Sequence, residues 1–86
     1  MKKPKFTLVV TNYNKGHLAQ RAIRSCLNQL LLRDYVEVIV VDDGSTDDSV
    51  DLLSEFLPDI RLLPLKRNMG VAYASNMGLR EATGDF

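Results

Sequence analysis

Residues 36–48, Val-Glu-Val-Ile-Val-Val-Asp-Asp-Gly-Ser-Thr-Asp-Asp, hold the change of pattern on which the fold turns. The first six are apolar and β-branched except for Glu37, and they do not alternate with polar residues. A strand of that kind is covered on both faces, as in a parallel sheet flanked by helices. Asp42-Asp43-Gly44 ends the strand. Ser45 or Thr46 is expected to cap a helix, with Asp47, Asp48 and Asp51 in its first turns, where carboxylates complement the positive end of the helix dipole. Val50, Leu53, Phe56 and Leu57 supply the apolar stripe of that helix, and Pro58 marks its end.

The pattern repeats on either side. Upstream, residues 6–11 (Phe-Thr-Leu-Val-Val-Thr) form a second non-alternating apolar run, and residues 12–16 read as a turn. Leu18, Ala22, Ile23, Cys26, Leu27 and Leu30 then fall on one helical stripe, opposite Gln20, Arg21, Arg24, Ser25 and Asn28, with the helix ending near Leu31. Downstream, residues 60–65 make a poorer strand, in which Pro64 favours an edge position or a strand end. After the loop at residues 66–70, a third helix is expected over residues 71–82, with Val71, Ala74, Gly78 and Ala82 on one face. Small residues there let a helix sit close on a sheet. Strand–helix three times over gives an α/β fold: a three-layer, Rossmann-like parallel sheet in β-α-β-α-β-α order with right-handed crossovers. Residues 84–86 look like the entry to a fourth strand.

The 86 residues make one small domain or a piece of a larger one, and such a chain buries only about 60–65 % of the surface it exposes when unfolded. Lys+Arg and Asp+Glu number 11 each, so the basic footprint of a nucleic-acid binder is missing and no nucleic-acid partner is expected. Cys26 is the single cysteine, which excludes an intrachain disulfide, is expected to be a small buried apolar group, and fits a reducing compartment. No apolar run approaches the roughly 20 residues that span a bilayer. A cytoplasmic location is expected, with membrane association of the complete protein left open.

In an open parallel sheet, ligands bind beyond the C-terminal strand ends. Those ends carry Thr11, Asn12, Tyr13 and Asn14, then Asp42, Asp43 and Gly44, then Lys66, Arg67 and Asn68. An aromatic face, carboxylates, amides and cations suit a nucleoside. Tyr13 offers a ring for stacking or edge packing, or else a lid on the core. A fixed carboxylate accepts the imide N–H of uracil, although a strand-end carboxylate also caps turns. No G-x-G-x-x-G follows the first strand, and Asp47 and Asp48 would repel a pyrophosphate from the next helix N-terminus. Any bound diphosphate needs neutralising elsewhere, most simply by a metal. His17 reads as solvated or capping, and Lys66 and Arg67 as a solvated loop.

Three elements together resemble family 2 glycosyltransferases of the GT-A fold. Residues 36–48 resemble the second-strand motif of that family, and residues 10–14 (Val-Thr-Asn-Tyr-Asn) its first-strand turn. Asn68, Gly70, Ala74, Asn76, Gly78, Ala82, Gly84 and Phe86 match the spacing of its third helix and exit. The resemblance implies transfer of a sugar from a nucleotide diphosphate sugar, often a UDP-sugar, to an acceptor that is a saccharide, lipid or protein. Thr11 and Tyr13 would line the nucleoside pocket. Asp43 would accept a hydrogen bond from uracil, and Asp42 would sit beside it holding the loop. Asn68, Gly70 and Asn76 would shape the wall. Many members have Pro where Thr11 stands, so the backbone of this turn is expected to differ slightly.

The same resemblance makes residues 1–86 a single truncated domain, the N-terminal nucleotide-sugar-binding portion. The fourth strand, its acidic D-x-D-type motif for a divalent metal (Mg or Mn) and the general base are not in the sequence, so it offers no catalytic or metal-ligating residue, and no transfer is expected from these residues alone. With a family strand order of 3-2-1-4, the first strand becomes an open edge that invites self-association. A receiver-type domain is disfavoured because the strand ending in Pro64-Leu65-Lys66 carries no acid, and a dehalogenase-type phosphatase because Asp42-Asp43-Gly44 has the wrong spacing and follows the second strand. A non-catalytic nucleotide-binding or structural role is the alternative.

Overall fold

The computed structural model describes residues 6–29 and 36–82. Its elements are β1 (Phe6–Asn12), α1 (Gly16–Gln29), β2 (Val36–Asp42), α2 (Ser49–Leu53), a 3₁₀ turn (Ser54–Phe56), β3 (Arg61–Pro64) and α3 (Val71–Glu81). The strands form one sheet in the order β1-β2-β3, with β1–β2 and β2–β3 both parallel. Thr11 lies opposite Val41, and Asn12 opposite Asp42, which itself pairs with Pro64. The three C-terminal ends therefore come level along one rim.

The central strand explains the unbroken apolar run. Val38 and Val40 enter a core with Ala19, Ile23, Leu53, Phe56 and Ile60, while Ile39 and Val41 enter a second core with Ala74. These four apolar side chains of β2 are all buried. Thus α1 and α2 cover one face and α3 the other, giving the three layers. On the α3 face, a Cβ added at Gly78 would lie 2.5 Å from Val9 Cγ1 and 3.2 Å from Val41 Cγ2. Glycine is what lets α3 cross β1 and β2 this closely.

Several expected boundaries and faces shift. In α1 the buried apolar side chains are those of Ala19 and Ile23, with Cys26 and Leu27 half-buried. Leu18 is 59 % exposed and Ala22 is also exposed, whereas Gln20 is half-buried and donates to the Leu52 carbonyl at 3.1 Å. The cause is the contact at the start of the helix. A Cβ on Gly16 would come within 2.9 Å of Ser49 Cα, so this end of α1 lies against α2 and Leu18 rotates outward. Leu30 and Leu31, and the fourth-strand entry at residues 84–86, lie outside the described residues.

The second helix is shorter than its apolar spacing suggests. It begins at Ser49 and gives way to the 3₁₀ turn, leaving Leu57 50 % exposed and Val50 half-buried. Neither Ser45 nor Thr46 caps it; the Asp47 carboxylate accepts the Ser49 N–H at 2.9 Å instead. The short β3 agrees with Pro64 ending an edge strand, and Leu65 extends the ladder by donating to the Asp42 carbonyl at 2.8 Å. Val71, expected on the packed face of α3, is 67 % exposed, because the close approach is centred on Ala74 and Gly78. Asn12, placed in the turn by sequence, belongs to β1 and is buried. Among the described residues, the outer edge of β1 pairs with nothing, and Leu8 there is 38 % exposed.

Candidate nucleoside-binding site

The rim is built from three loops tied to one another by side chains. The first tie is Asp42. Its Oδ1 accepts Asn12 Nδ2 at 2.9 Å and the Ser45 hydroxyl at 2.7 Å, and its Oδ2 accepts the Ser45 N–H at 2.9 Å. The carboxylate is buried and holds the ends of β1 and β2 together. Asn12 Oδ1, on the same side chain, is buried without a hydrogen-bond partner among the described residues.

The second tie is Asp43, which is 4 % exposed. Its Oδ1 accepts the Met69 N–H at 2.8 Å, and its Oδ2 accepts the Gly70 N–H at 3.0 Å and Asn68 Nδ2 at 3.2 Å. The same Asn68 amide reaches the Asp43 carbonyl at 3.3 Å. The Asp43 N–H donates to the Asn12 carbonyl at 2.7 Å, which locks its backbone to β1. Asp43 thus places a negative charge just before α3, where the helix dipole favours it. Gly44 makes this possible: at φ 72° it turns the chain so tightly that a Cβ would lie 2.1 Å from the Arg67 carbonyl carbon. Gly70, at φ 96°, makes the corresponding turn into α3.

The third tie joins the loops after β1 and β2. Asn14 adopts φ 52°, a left-handed conformation that Asn tolerates better than most residues. Its Oδ1 accepts the N–H groups of Thr46 and Asp47 at 2.8 and 3.3 Å, its Nδ2 donates to Thr46 Oγ1 at 3.2 Å, and its N–H donates to Ser45 Oγ at 2.9 Å. In return, Ser49 Oγ accepts the Gly16 N–H at 3.0 Å at the start of α1. The sequence places Asn12 and Asn14 among the strand-end amides but does not assign them these ties, and it gives no sign of Ser49. The signal available for Asn14 is the preference of Asn for left-handed turns and for holding backbone N–H groups.

Of the residues singled out, Asp42, Asp43 and Asn68 are brought into one network, with half-buried Thr11 and 43 % exposed Tyr13 at the adjoining end of β1. Thr11 shares a strand face with Val9 and so looks to the α3 side, the side from which Asp43 is held. Asn76 is not brought to them. It is exposed on the side of α3 away from Ala74 and Gly78, beside a shallow depression lined also by Tyr73, Met77, Leu79 and Arg80. The exposed Asp47 carboxyl is held below its usual value by hydrogen bonds from the Ser49 side chain and backbone.

Among the described residues, no three His, Cys, Asp or Glu side chains converge where one ion could be held. The Asp42 and Asp43 oxygens meet N–H and O–H donors, the environment of a structural carboxylate rather than a cation ligand. These residues do not fit a metal seat.

A parallel three-layer α/β sheet with a polar rim tied at its strand ends is the framework of a nucleotide-binding domain. The sequence matches the family model "Glycosyl transferase family 2" over residues 7–86, and the chain belongs to that family. It is 34 % identical to an uncharacterized glycosyltransferase of Haemophilus influenzae, over all of this chain and 35 % of that protein. It is 35 % identical to the glycosyltransferase GlyA of Streptococcus pneumoniae, over 95 % of this chain and 12 % of that one. The structure superposes with TM-score 0.83 on a mannosyltransferase of Pyrobaculum calidifontis in complex with GDP-Man and Mn2+, at 33 % identity, covering 96 % of this chain and 26 % of that one. For TarS of Staphylococcus aureus in complex with UDP-GlcNAc the TM-score is 0.77 at 27 % identity, covering 93 % of this chain and 24 % of that one. The chain therefore spans about a third or less of the proteins it matches. No helix among the described residues is long and apolar enough to cross a membrane.

Proposed function

We propose that this chain forms the nucleoside-binding half of a glycosyltransferase that moves a sugar from a nucleotide diphosphate sugar, a UDP-sugar, to an acceptor. In the reaction the bond from the sugar to the diphosphate breaks, an acceptor oxygen takes its place, and the nucleoside diphosphate leaves. The observation that carries the reading is the Asp43 carboxylate, fixed by its own loop donors at the rim beside Thr11 and Tyr13. In this reading Tyr13 packs on the base, Thr11 lines the pocket, and Asp43 accepts the imide N–H. Asp42 holds the β1 and β2 ends, Asn68 shapes the wall, and Asn76 faces the outer margin.

The neighbours bound to UDP-GlcNAc and to GDP-Man support a nucleotide sugar as donor, and the Mn2+ in one of them supports a divalent metal in the complete enzyme. Because the chain covers about a third or less of such proteins, we assign the metal seat, the general base and the acceptor site to the rest of the enzyme. These 86 residues are then inactive alone. The half-buried thiol of Cys26 fits a cytoplasmic location.

The test is a titration of the isotopically labelled chain with UDP, without added metal, followed by amide chemical shifts. Shifts centred on Thr11, Tyr13 and Asp43 are expected. A folded chain whose amides UDP leaves unmoved removes the nucleoside seat from this rim.

A further inference from the structure

We infer that Asn68 is a specificity-determining residue, which limits the base to one that presents a single imide N–H. The inference rests on the proposed reading of Asp43 as the group that meets the base, and it follows from counting acceptor positions. A carboxylate offers about four, two on each oxygen. Oδ2 of Asp43 receives both the Gly70 N–H and Asn68 Nδ2, while Oδ1 receives the Met69 N–H. Those are its three donors among the described residues. Oδ2 is full, and Oδ1 keeps one position.

Uracil presents one N–H between two carbonyls and needs one acceptor. Guanine presents its N1–H and its 2-amino group side by side, and a carboxylate meets that pair with both oxygens. Here the second oxygen is closed by the Asn68 amide, so a guanine bound at Asp43 leaves one donor unpaired. Such a group in a buried site is costly, because a lost hydrogen bond there is not replaced by water. Asp43 as a residue is only 4 % exposed, so water has little room to stand in at its closed oxygen. Of the three donors, Asn68 Nδ2 is the side-chain one and the longest at 3.2 Å. The other two are backbone groups at the entry to α3, and they still hold the Asp43 carboxylate when the Asn68 amide, with its second contact to the Asp43 carbonyl at 3.3 Å, is replaced.

The experiment compares UDP, GDP and IDP by titration of the labelled chain. Hypoxanthine, the base of IDP, keeps the ring N–H of guanine and lacks only the 2-amino group. IDP is expected to bind at least about fivefold more tightly than GDP, the effect of one unpaired buried donor. In Asn68→Ala, with a dispersed amide spectrum, the gap should narrow to within about twofold through gain of GDP binding. GDP binding as well as or better than IDP in the unaltered chain overturns the role of Asn68 and leaves the seat at Asp43 intact. So does an unchanged gap in a folded Asn68→Ala chain. If no nucleotide moves the amides of Asp43, Met69 and Gly70, the base reading falls and the specificity role falls with it. The IDP and GDP comparison needs no substitution and decides the matter should the variant not fold.

Discussion

Asn14 Oδ1 accepts the backbone N–H of Thr46 at 2.8 Å, across 32 residues of sequence, and so fixes the loop after β1 to the loop after β2. The same oxygen takes the Asp47 N–H at 3.3 Å. Asn14 thus holds two N–H groups of the turn that leads into α2, and does so from a different loop. Asn14→Ala removes those bonds and also forces Ala into φ 52°, so the loss combines hydrogen bonds of about 1 kcal/mol in total with a left-handed backbone cost of about 1–2 kcal/mol. Asn14→Gly removes the bonds without the backbone cost. Urea unfolding should rank stability as Asn, then Gly, then Ala, with Ala about 2–3 kcal/mol below Asn. Equal losses for Gly and Ala would show that the left-handed turn is not what position 14 contributes.

Gly44 and Gly78 both exclude a side chain, for reasons that separate under mutation. At Gly78 an added methyl meets Val9 Cγ1, part of a side chain on an edge strand. Gly78→Ala should cost about 1–3 kcal/mol by overpacking, less the roughly 1 kcal/mol that Ala gains over Gly in a helix. Pairing it with Val9→Ala should recover much of the loss as a coupling energy. At Gly44 the clash is with Arg67 backbone, and φ is 72°, so no rotamer change relieves it. In a domain with only a few kcal/mol in hand, Gly44→Ala should abolish the cooperative unfolding transition, and no single side-chain truncation should restore it. Circular dichroism against urea for the four variants checks both statements.

The acid limb of stability carries a contribution from Asp47. Hydrogen bonds from the Ser49 side chain and backbone hold its carboxyl below the usual value of 3.8 in the folded chain. A depressed folded value means the ionised form is preferred in the native state. The contribution is present above the unfolded value and fades as pH falls through the folded one. Asp47→Asn keeps an oxygen for the Ser49 N–H and removes the titration. Its stability should therefore fall less steeply than that of the unaltered chain between about pH 4 and pH 2, and run parallel to it above about pH 5. Identical slopes below pH 4 would mean that the Ser49 bonds do not favour the ionised form.

The layers and the rim were legible because they depend on local pattern. The apolar run at Val38–Val41 demanded cover on both faces, and residues 42–44 demanded a turn, whatever the remainder of the chain did. Pro64 marked the edge because it lacks an N–H. The helix faces were less legible. Leu18 and Ala22 fit the apolar stripe as well as Ala19 does, and the choice is made by Gly16 lying against Ser49, 33 residues away. The clamp at Asn14 was hidden for the same reason, since a turn-forming Asn in sequence does not reveal which N–H groups it will hold. The sequence offers Asp43 as a polar group at a strand end, where a ligand would be met. That its carboxylate also anchors Met69 and Gly70 follows only from the fold of the β3–α3 loop. In the proposed reading one side chain carries both tasks, so its removal cannot report on binding alone.

The open side of β1 leads to the last prediction. Among the described residues no strand pairs with it, and Leu8 and Val9 keep it apolar. Unpaired N–H and C=O groups along an apolar edge are a template for another chain, and edge strands are commonly protected by charge or a covering element. With 11 positive and 11 negative side chains, the molecule has no net charge to oppose association. Sedimentation velocity of the isolated chain should show dimers or larger species whose share grows with concentration. Leu8→Lys places a charge on the edge without touching the rim, and should shift the distribution towards monomer. High salt should not reproduce that shift in the unaltered chain, since pairing along an apolar edge does not rest on attraction between charges that salt would screen. A monodisperse monomer at high concentration would show that the edge is closed by the chain itself.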